Sequence, residues 1–300
     1  MTMRLSANDL NLLCQCAIAA AYQAGHIIES HAGRPVAVGN KTGGASLAAQ
    51  VVTEVDHLSQ QAILQALQPA CDMFDLAVLS EEQADDGSRL RKDYFWCIDP
   101  LDGTLPFIEG VAGYSVSIAL VDRAGSAIIG VVYDPLARNL YSAVQNGGAW
   151  RDGQRLALPI TASRGNILKF ITDKSFAADP LYQAAEAGLE RLALGLGYAG
   201  AALVLQGGAA MNACQVLVDA PACYFKFPKP QAGGGSVWDY AATACLFREA
   251  GAIACDMFGN DLELNPQGSL FMNRCGVLYC ADRELAPALV ELYRQLQNSC

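Results

Sequence analysis

The chain has no run of lysines or arginines, no CxxC pair and few histidines. The first absence removes the usual footprint of a nucleic-acid backbone partner, and the formal net charge of −10 points the same way. The three histidines, His26, His31 and His57, stand apart from any cysteine pair, which argues against a zinc site. Cysteine itself is not scarce, but the thiols are scattered: Cys14 and Cys16 lie in a helical pattern, and Cys97, Cys214 and Cys245 lie in apolar runs. They read as reduced residues serving as small core hydrophobes. The opening MTMRLSANDL lacks a hydrophobic signal core, so the expected compartment is the cytoplasm. Leu192 to Val218 carries no charge, yet five glycines, Gln206, Asn212 and Gln215 interrupt it, and no basic cluster flanks it. A strand, a turn and a helix fit that stretch better than a membrane span. Repeats and low-complexity linkers are also missing.

What is present is a globular composition, 52% hydrophobic and 17% charged, enough for a sizeable core. SANDLNLLCQCAIAAAYQAGHIIES places Leu10, Leu13, Ala17, Ala20, Ala24 and Ile28 on one helical face, with Ser6 as candidate cap. A glycine-rich loop, KTGGASLAAQ, precedes a second helical pattern from about Thr53 to Leu67. FDLAVLS, YFWCIDP, YSVSIALV and AIIGVVYDP are short apolar runs punctuated by turn residues, as in strands with much antiparallel pairing. NGGAWRDGQRL reads as a loop and hairpin. Beyond about residue 160 strands and helices alternate: ALVLQ and ACYFKF are strand-like, and GAAMNACQVLV and WDYAATACLFREAG are helical, with Gly251 as a stop. DRELAPALVELYRQL is an amphipathic helix. The economical organisation is two α/β subdomains in one body, residues 1–160 and 161–300.

The stretch WCIDPLDGTLPF sets two aspartates, Asp99 and Asp102, at the end of an apolar run. One reading is an Asp-Pro turn with Gly103 supplying the bend. The other is a metal site, because gathered carboxylates repel one another unless protons or hard divalent cations intervene. Glu81 and Glu82 end another strand directly, and Asp239 begins a helix after GGGSV, where an acid is favourable in any case. Asp56 falls early in the second helix, where a solvated acid is the plain expectation. Together these acids at element boundaries are what a two- or three-metal site requires. The haloacid dehalogenase phosphatases are excluded: their Asp-x-Asp nucleophile position is Pro100 here.

Asp99-Pro-Leu-Asp102-Gly-Thr104, Ser80-Glu81-Glu82 upstream, and Trp238-Asp239-x-Ala241-Ala242 followed by Glu249-Ala250-Gly251 resemble the inositol monophosphatase superfamily. Val52-Thr53-x-x-Asp56, Gly130-Val-Val-Tyr-Asp-Pro and Asn146-Gly-Gly-Ala-Trp extend the resemblance over nearly the whole chain. It implies an α/β fold of αβαβα layers, of the inositol monophosphatase/fructose-bisphosphatase type, and Mg²⁺-dependent hydrolysis of phosphate monoesters. The implied ligands are Glu81, Asp99 and the Leu101 carbonyl for one Mg²⁺, and Asp99, Asp102 and Asp239 for a second. Two or three ions per site are expected. The resemblance further implies that Thr104, paired with Asp56, orients the attacking water, with Glu81 assisting. The backbone amides of Gly103 and Thr104, if they open a helix, would add an anion nest for the phosphate. Sensitivity to Li⁺ and a homodimer are expected on the same ground.

The implied substrate contacts are Gly208, Ala209, Asn212 and Lys226. Gly207-Gly-Ala-Ala-Met-Asn212-Ala-Cys214 resembles the substrate-side helix of the inositol monophosphatases and lacks the Ser and Lys of the bisphosphate nucleotidase branch, favouring a small polyol phosphate. Lys226, however, stands where the inositol phosphatases usually carry a glutamate, and FPKPQAGGGS lengthens the segment before Trp238. Lys226 and Lys229 are therefore either contacts to a second phosphate, as in a 3'(2'),5'-bisphosphate nucleotide, or solvated lysines beside a loop. The non-catalytic alternative, a relative that only binds a phosphorylated metabolite, would be marked by a missing ligand acid; none is missing.

Overall fold

Side chains alternate across the strands of two sheets, and the alternation sorts the core into three separate apolar layers. The computed structural model describes residues 4–34, 38–40, 51–158 and 165–298. Its elements, in order, are α1 (Ala7–His31), β1 (Val38–Asn40), β2 (Val51–Thr53), α2 (Glu54–Phe74), β3 (Ala77–Ser80), β4 (Tyr94–Asp102), α3 (Thr104–Glu109), β5 (Ser115–Asp122), β6 (Ala127–Asp134), β7 (Asn139–Val144), β8 (Gly148–Arg151) and β9 (Gln154–Arg155). There follow β10 (Ile167–Asp173), α4 (Tyr182–Gly195), β11 (Gly200–Gln206), α5 (Ala209–Val218), β12 (Ala222–Lys226), α6 (Val237–Ala250), β13 (Ile253–Cys255), β14 (Val277–Cys280) and α7 (Leu285–Asn298).

Strands β3 to β9 lie in chain order in one seven-stranded sheet, antiparallel except for the parallel β3–β4 pair. The second sheet runs β11-β10-β12-β14-β13, parallel around β10 and antiparallel around β14. On β4, Trp96 and Ile98 pack with α1 and α2 on the outer face, while Phe95 and Cys97 pack with α5 and α6. On β12, Tyr224 joins that same inner layer, whereas Cys223 and Phe225 face α4 and α7. The order of layers is therefore α1/α2, large sheet, α5/α6, small sheet, α4/α7. These two mixed sheets flanked by helices are the αβαβα arrangement expected from the sequence.

Local chemistry accounts for the boundaries that matter. Ser6 and Asp9 form a reciprocal capping box that starts α1, and Thr53 and Asp56 do the same for α2. Helix α2 runs seven residues beyond the expected stop at Leu67, through Pro69. Pro69 lies on the exposed side, as does Gln65, whose carbonyl loses its helical donor to the proline ring and can turn to water. Asp56 corrects another expectation: it is fully buried, not a solvated acid. The described cysteines are all free thiols and mostly buried, in keeping with their reading as core hydrophobes. The expected loop KTGGASLAAQ, residues 41–50, lies outside the described residues. Among those described, no helix is long and apolar enough to cross a membrane.

Candidate active site

Strand β4 carries the first two acids, and its irregularity aims them. Asp99 pairs with Ser117 on β5, but Asp102 pairs with Ser115, so three steps on β4 match two on β5. This is a β-bulge at Pro100-Leu101, where proline has no amide to give to the ladder. Without it, residues three apart would face opposite sides of the sheet. With it, Leu101 joins the outer core beside α2, and both aspartates turn inward. The Leu101 amide donates to Asp99 Oδ1 at 3.0 Å, an Asx-turn across the proline. Both acids are buried.

The third acid arrives from α6. Asp239 is the third residue of that helix, and the Ser236 amide donates to its Oδ2 in a capping box. Ser117 fixes the same turn by donating to the Trp238 carbonyl at 3.2 Å. Carboxylate oxygens of Asp99, Asp102 and Asp239 lie within 4.8 Å of one another. Glu81 directly follows β3, whose parallel register sets Ser80 beside Ile98, and its amide donates to the Ile98 carbonyl at 3.1 Å. Glu81 thus stands at the same sheet end as Asp99, outside the tight triad.

Behind Asp102 sits the N-terminus of α5. The Ala209 and Ala210 amides donate to its two oxygens at 3.0 and 2.9 Å. Such proximity depends on glycine: a Cβ on Gly208 would lie 1.5 Å from the Gly113 carbonyl oxygen, and Gly208 has φ of 81°. Ala209 therefore holds an acid through its backbone. Asn212, one turn further on, is fully buried, and its carboxamide has no hydrogen-bond partner among the described residues.

Gly103, at φ of 84°, opens the short helix α3, whose first amides have no acceptor within the helix. Thr104 Oγ1 lies 3.1 Å from Asp56 Oδ1 and donates to it, with the Leu101 carbonyl at 3.3 Å. Asp56 Oδ2 accepts from the Thr53 amide and hydroxyl at 2.8 and 2.5 Å. Asp56, the acid of the α2 capping box, thereby also holds Thr104. Lys226 ends β12 and is not a solvated lysine: its Nζ lies 2.6 Å from Asp173 Oδ2 and 5.9 Å from the centre of the Tyr240 ring. Asp173, at the end of β10, carried no signal in the sequence; only the β10–β12 pairing brings it here. Lys229 is more exposed, 3.8 Å from Asp179.

Electrostatics sets the character of the cluster. Burial, opposed by the two α5 amides and reinforced by the Glu81 charge, pushes the Asp102 carboxyl up to about 6. Burial and the charges of Asp102 and Glu81 push Asp239 well above the usual carboxylate range. Packed, buried carboxylates with shared repulsion are a donor set suited to hard divalent cations, which take carboxylate and carbonyl oxygens.

The comparisons with known proteins agree with this geometry. The model of the inositol monophosphatase family matches residues 9–298. The chain belongs to the inositol monophosphatase family. Nus factor SuhB of Haemophilus influenzae is 32% identical over 249 residues, covering 82% of this chain and 86% of the relative. Inositol monophosphatase 2 of Homo sapiens is 29% identical over 280 residues, covering 92% and 88%. The 3'(2'),5'-bisphosphate nucleotidase CysQ of Shigella flexneri is 30% identical over 226 residues, covering 74% and 82%. Among solved structures, the Thermotoga maritima IMPase TM1415 superposes with a TM-score of 0.71 at 23% identity, covering 94% of this chain and 96% of that one. Inositol monophosphatase-family members are metal-dependent phosphomonoesterases that typically use Mg²⁺.

Proposed function

We propose that this inositol monophosphatase-family phosphatase hydrolyses a small polyol phosphate of the inositol monophosphate type, with Mg²⁺ held by its buried acids. The observation that carries the reading is the convergence of Asp99, Asp102 and Asp239 within 4.8 Å, with Glu81 alongside. Glu81, Asp99 and the Leu101 carbonyl would hold one ion, and Asp99, Asp102 and Asp239 another. Bound there, divalent cations would acidify a water, offset phosphate charge and stabilise the leaving alkoxide.

The chain's own groups supply orientation. The Thr104 hydroxyl donates within the chain, to Asp56 Oδ1 or the Leu101 carbonyl, so Thr104 Oγ1 is left as an acceptor for a water hydrogen. That contact directs a water lone pair toward phosphorus. Asp56 is held by Thr53 and fully enclosed, so the pair keeps its geometry. The opening amides of α3, at Gly103 and Thr104, donate to phosphate oxygens, and Gly208 and Ala209 border the alcohol side. Lys226 lines that side with its charge matched by Asp173. Such a paired cation suits hydroxyl recognition better than capture of a second phosphate.

A 3'(2'),5'-bisphosphate nucleotide is the second reading, favoured by a cation at position 226 and by the CysQ relative. Phosphate release from inositol phosphates, sugar phosphates and 3'-phosphoadenosine 5'-phosphate, with and without Mg²⁺ and with added Li⁺, separates the two. Mg²⁺-dependent release from polyol phosphates supports the first reading, and preference for the nucleotide supports the second. No release from any of them defeats both.

A further inference from the structure

At the opposite end of the helix that carries Asp239 lies a cavity. Asp239 sits in the first turn of α6 and Arg248 in its last, about 14 Å apart at 1.5 Å rise per residue. There a cavity of about 790 Å³ opens between the β5–β6 turn, the end of α6, strand β13 and helix α7. Its size is that of a small-molecule site. Strand β13 is the outermost of its sheet, so no further strand fills the space among the described residues.

Two features of the lining are complementary. Three guanidinium groups border the cavity, those of Arg248, Arg283 and Arg294, in a chain of net charge −10. The facing acids are Asp261 and Glu291, and Glu291 is taken up by Arg294 at 2.6 Å. Arg283 donates from Nε and Nη2 to the Gly251 carbonyl at 3.3 Å, and no carboxylate pairs with it among the described residues. Arg248 donates to the Ala127 carbonyl and lies 3.4 Å from Glu249, a carboxylate that also accepts the Gly148 amide at 3.1 Å. The guanidinium of Arg283 is thus held by a carbonyl alone, whereas that of Arg248 is held by the Ala127 carbonyl and shares its charge with Glu249. The lining also includes the small side chains of Ala252, Ala254 and Ala286. Phe258 also lines the cavity; the residue is 51% exposed and its ring is braced edge-on by Tyr293 at 6.3 Å.

We infer that this cavity is a binding site for a small anion with a flat apolar body, the class to which nucleoside monophosphates belong, separate from the acid cluster. The anionic group pairs with Arg248 and Arg283, because a guanidinium fork matches a phosphate's oxygens. The flat body lies against Phe258 and the small alanine side chains of the lining.

The test uses adenosine monophosphate with the full chain in EDTA, a condition under which the acid cluster repels anions. Saturable binding is measured by titration calorimetry, beside adenosine and inorganic phosphate as separate probes. The expected result is that the monophosphate binds and each fragment binds at least about tenfold more weakly. Arg283→Gln, at an exposed position that does not threaten folding, should weaken binding by about tenfold, and Arg248→Gln likewise, whereas Asp239→Asn should leave it unchanged. Absence of saturable binding overturns the inference. So does binding that survives both arginine substitutions but disappears in Asp239→Asn, and so does phosphate binding as tightly as the nucleotide. None of these outcomes bears on whether the acid cluster hydrolyses phosphate esters.

Discussion

Asp99 and Asp102 face the same side of the large sheet although three residue steps separate them, because they oppose Ser117 and Ser115, only two steps apart. The extra residue at Pro100-Leu101 corrects the parity of the strand. Leu101 then points into the outer core, and Asp102 meets the α5 amides. Proline and bulge act together: the ring removes a ladder donor, and Asp99 captures the next amide.

Substituting Asp99→Asn keeps the shape and the Asx-turn acceptor but removes the charge at the centre of the triad. Phosphate release should fall by at least about a hundredfold with little change in the unfolding midpoint. Turnover close to that of the parent would refute the assignment of Asp99 as a shared ligand.

The approach of α5 to Asp102 rests on Gly208. Gly208→Ala should destabilise the fold by about 1–3 kcal/mol beyond the effect of Gly153→Ala. Gly153 also has positive φ, 75°, but open space where its Cβ would stand. Urea melts of the two variants isolate the clash with Gly113 from the backbone strain. Equal losses would show that α5 shifts at no cost.

The Asp102 carboxyl lies raised, at about 6, above its ordinary 3.8. Its protonated form is therefore favoured in the folded chain, and its contribution to stability without metal is present below pH 3.8 and lost as pH rises to about 6. Cations need the ionised form, so Mg²⁺ affinity should climb over the same interval. Thermal melts of wild type and Asp102→Asn, in EDTA and in Mg²⁺, read both trends. The wild-type difference between EDTA and Mg²⁺ should widen with pH, and a flat difference would contradict the raised carboxyl.

Lys226 lowers the repulsion felt by Asp102 and Asp239, as their proton affinities register. Lys226→Gln removes that cation and leaves Asp173 without its partner, so the cluster becomes more negative. Mg²⁺ should bind up to about tenfold more tightly in calorimetry, even if substrate binding suffers. Weaker Mg²⁺ binding would place Lys226 in a structural role instead.

The sequence alone carried the grammar of the site. Acids stand at element ends at Glu81, Asp99, Asp102 and Asp239, and the family motifs around them are local in the chain. Helices α1, α2, α6 and α7 were legible from periodicity and caps, since both are short-range properties. Strand β10 and helix α4 gave no such signal, so Asp173 was invisible until pairing with β12 brought it to Lys226. Asp56 shows the limit most clearly. Its capping box is written within four residues, but its burial and its contact with Thr104 depend on α2 packing against the large sheet. The sequence determined which acids and turns exist, because caps, bulge formers and alternation act between near neighbours. Tertiary structure decided which acids share a charge field, which asparagine is buried and where a cavity opens beyond α6, because distance in space, burial and repulsion arise only when layers pack.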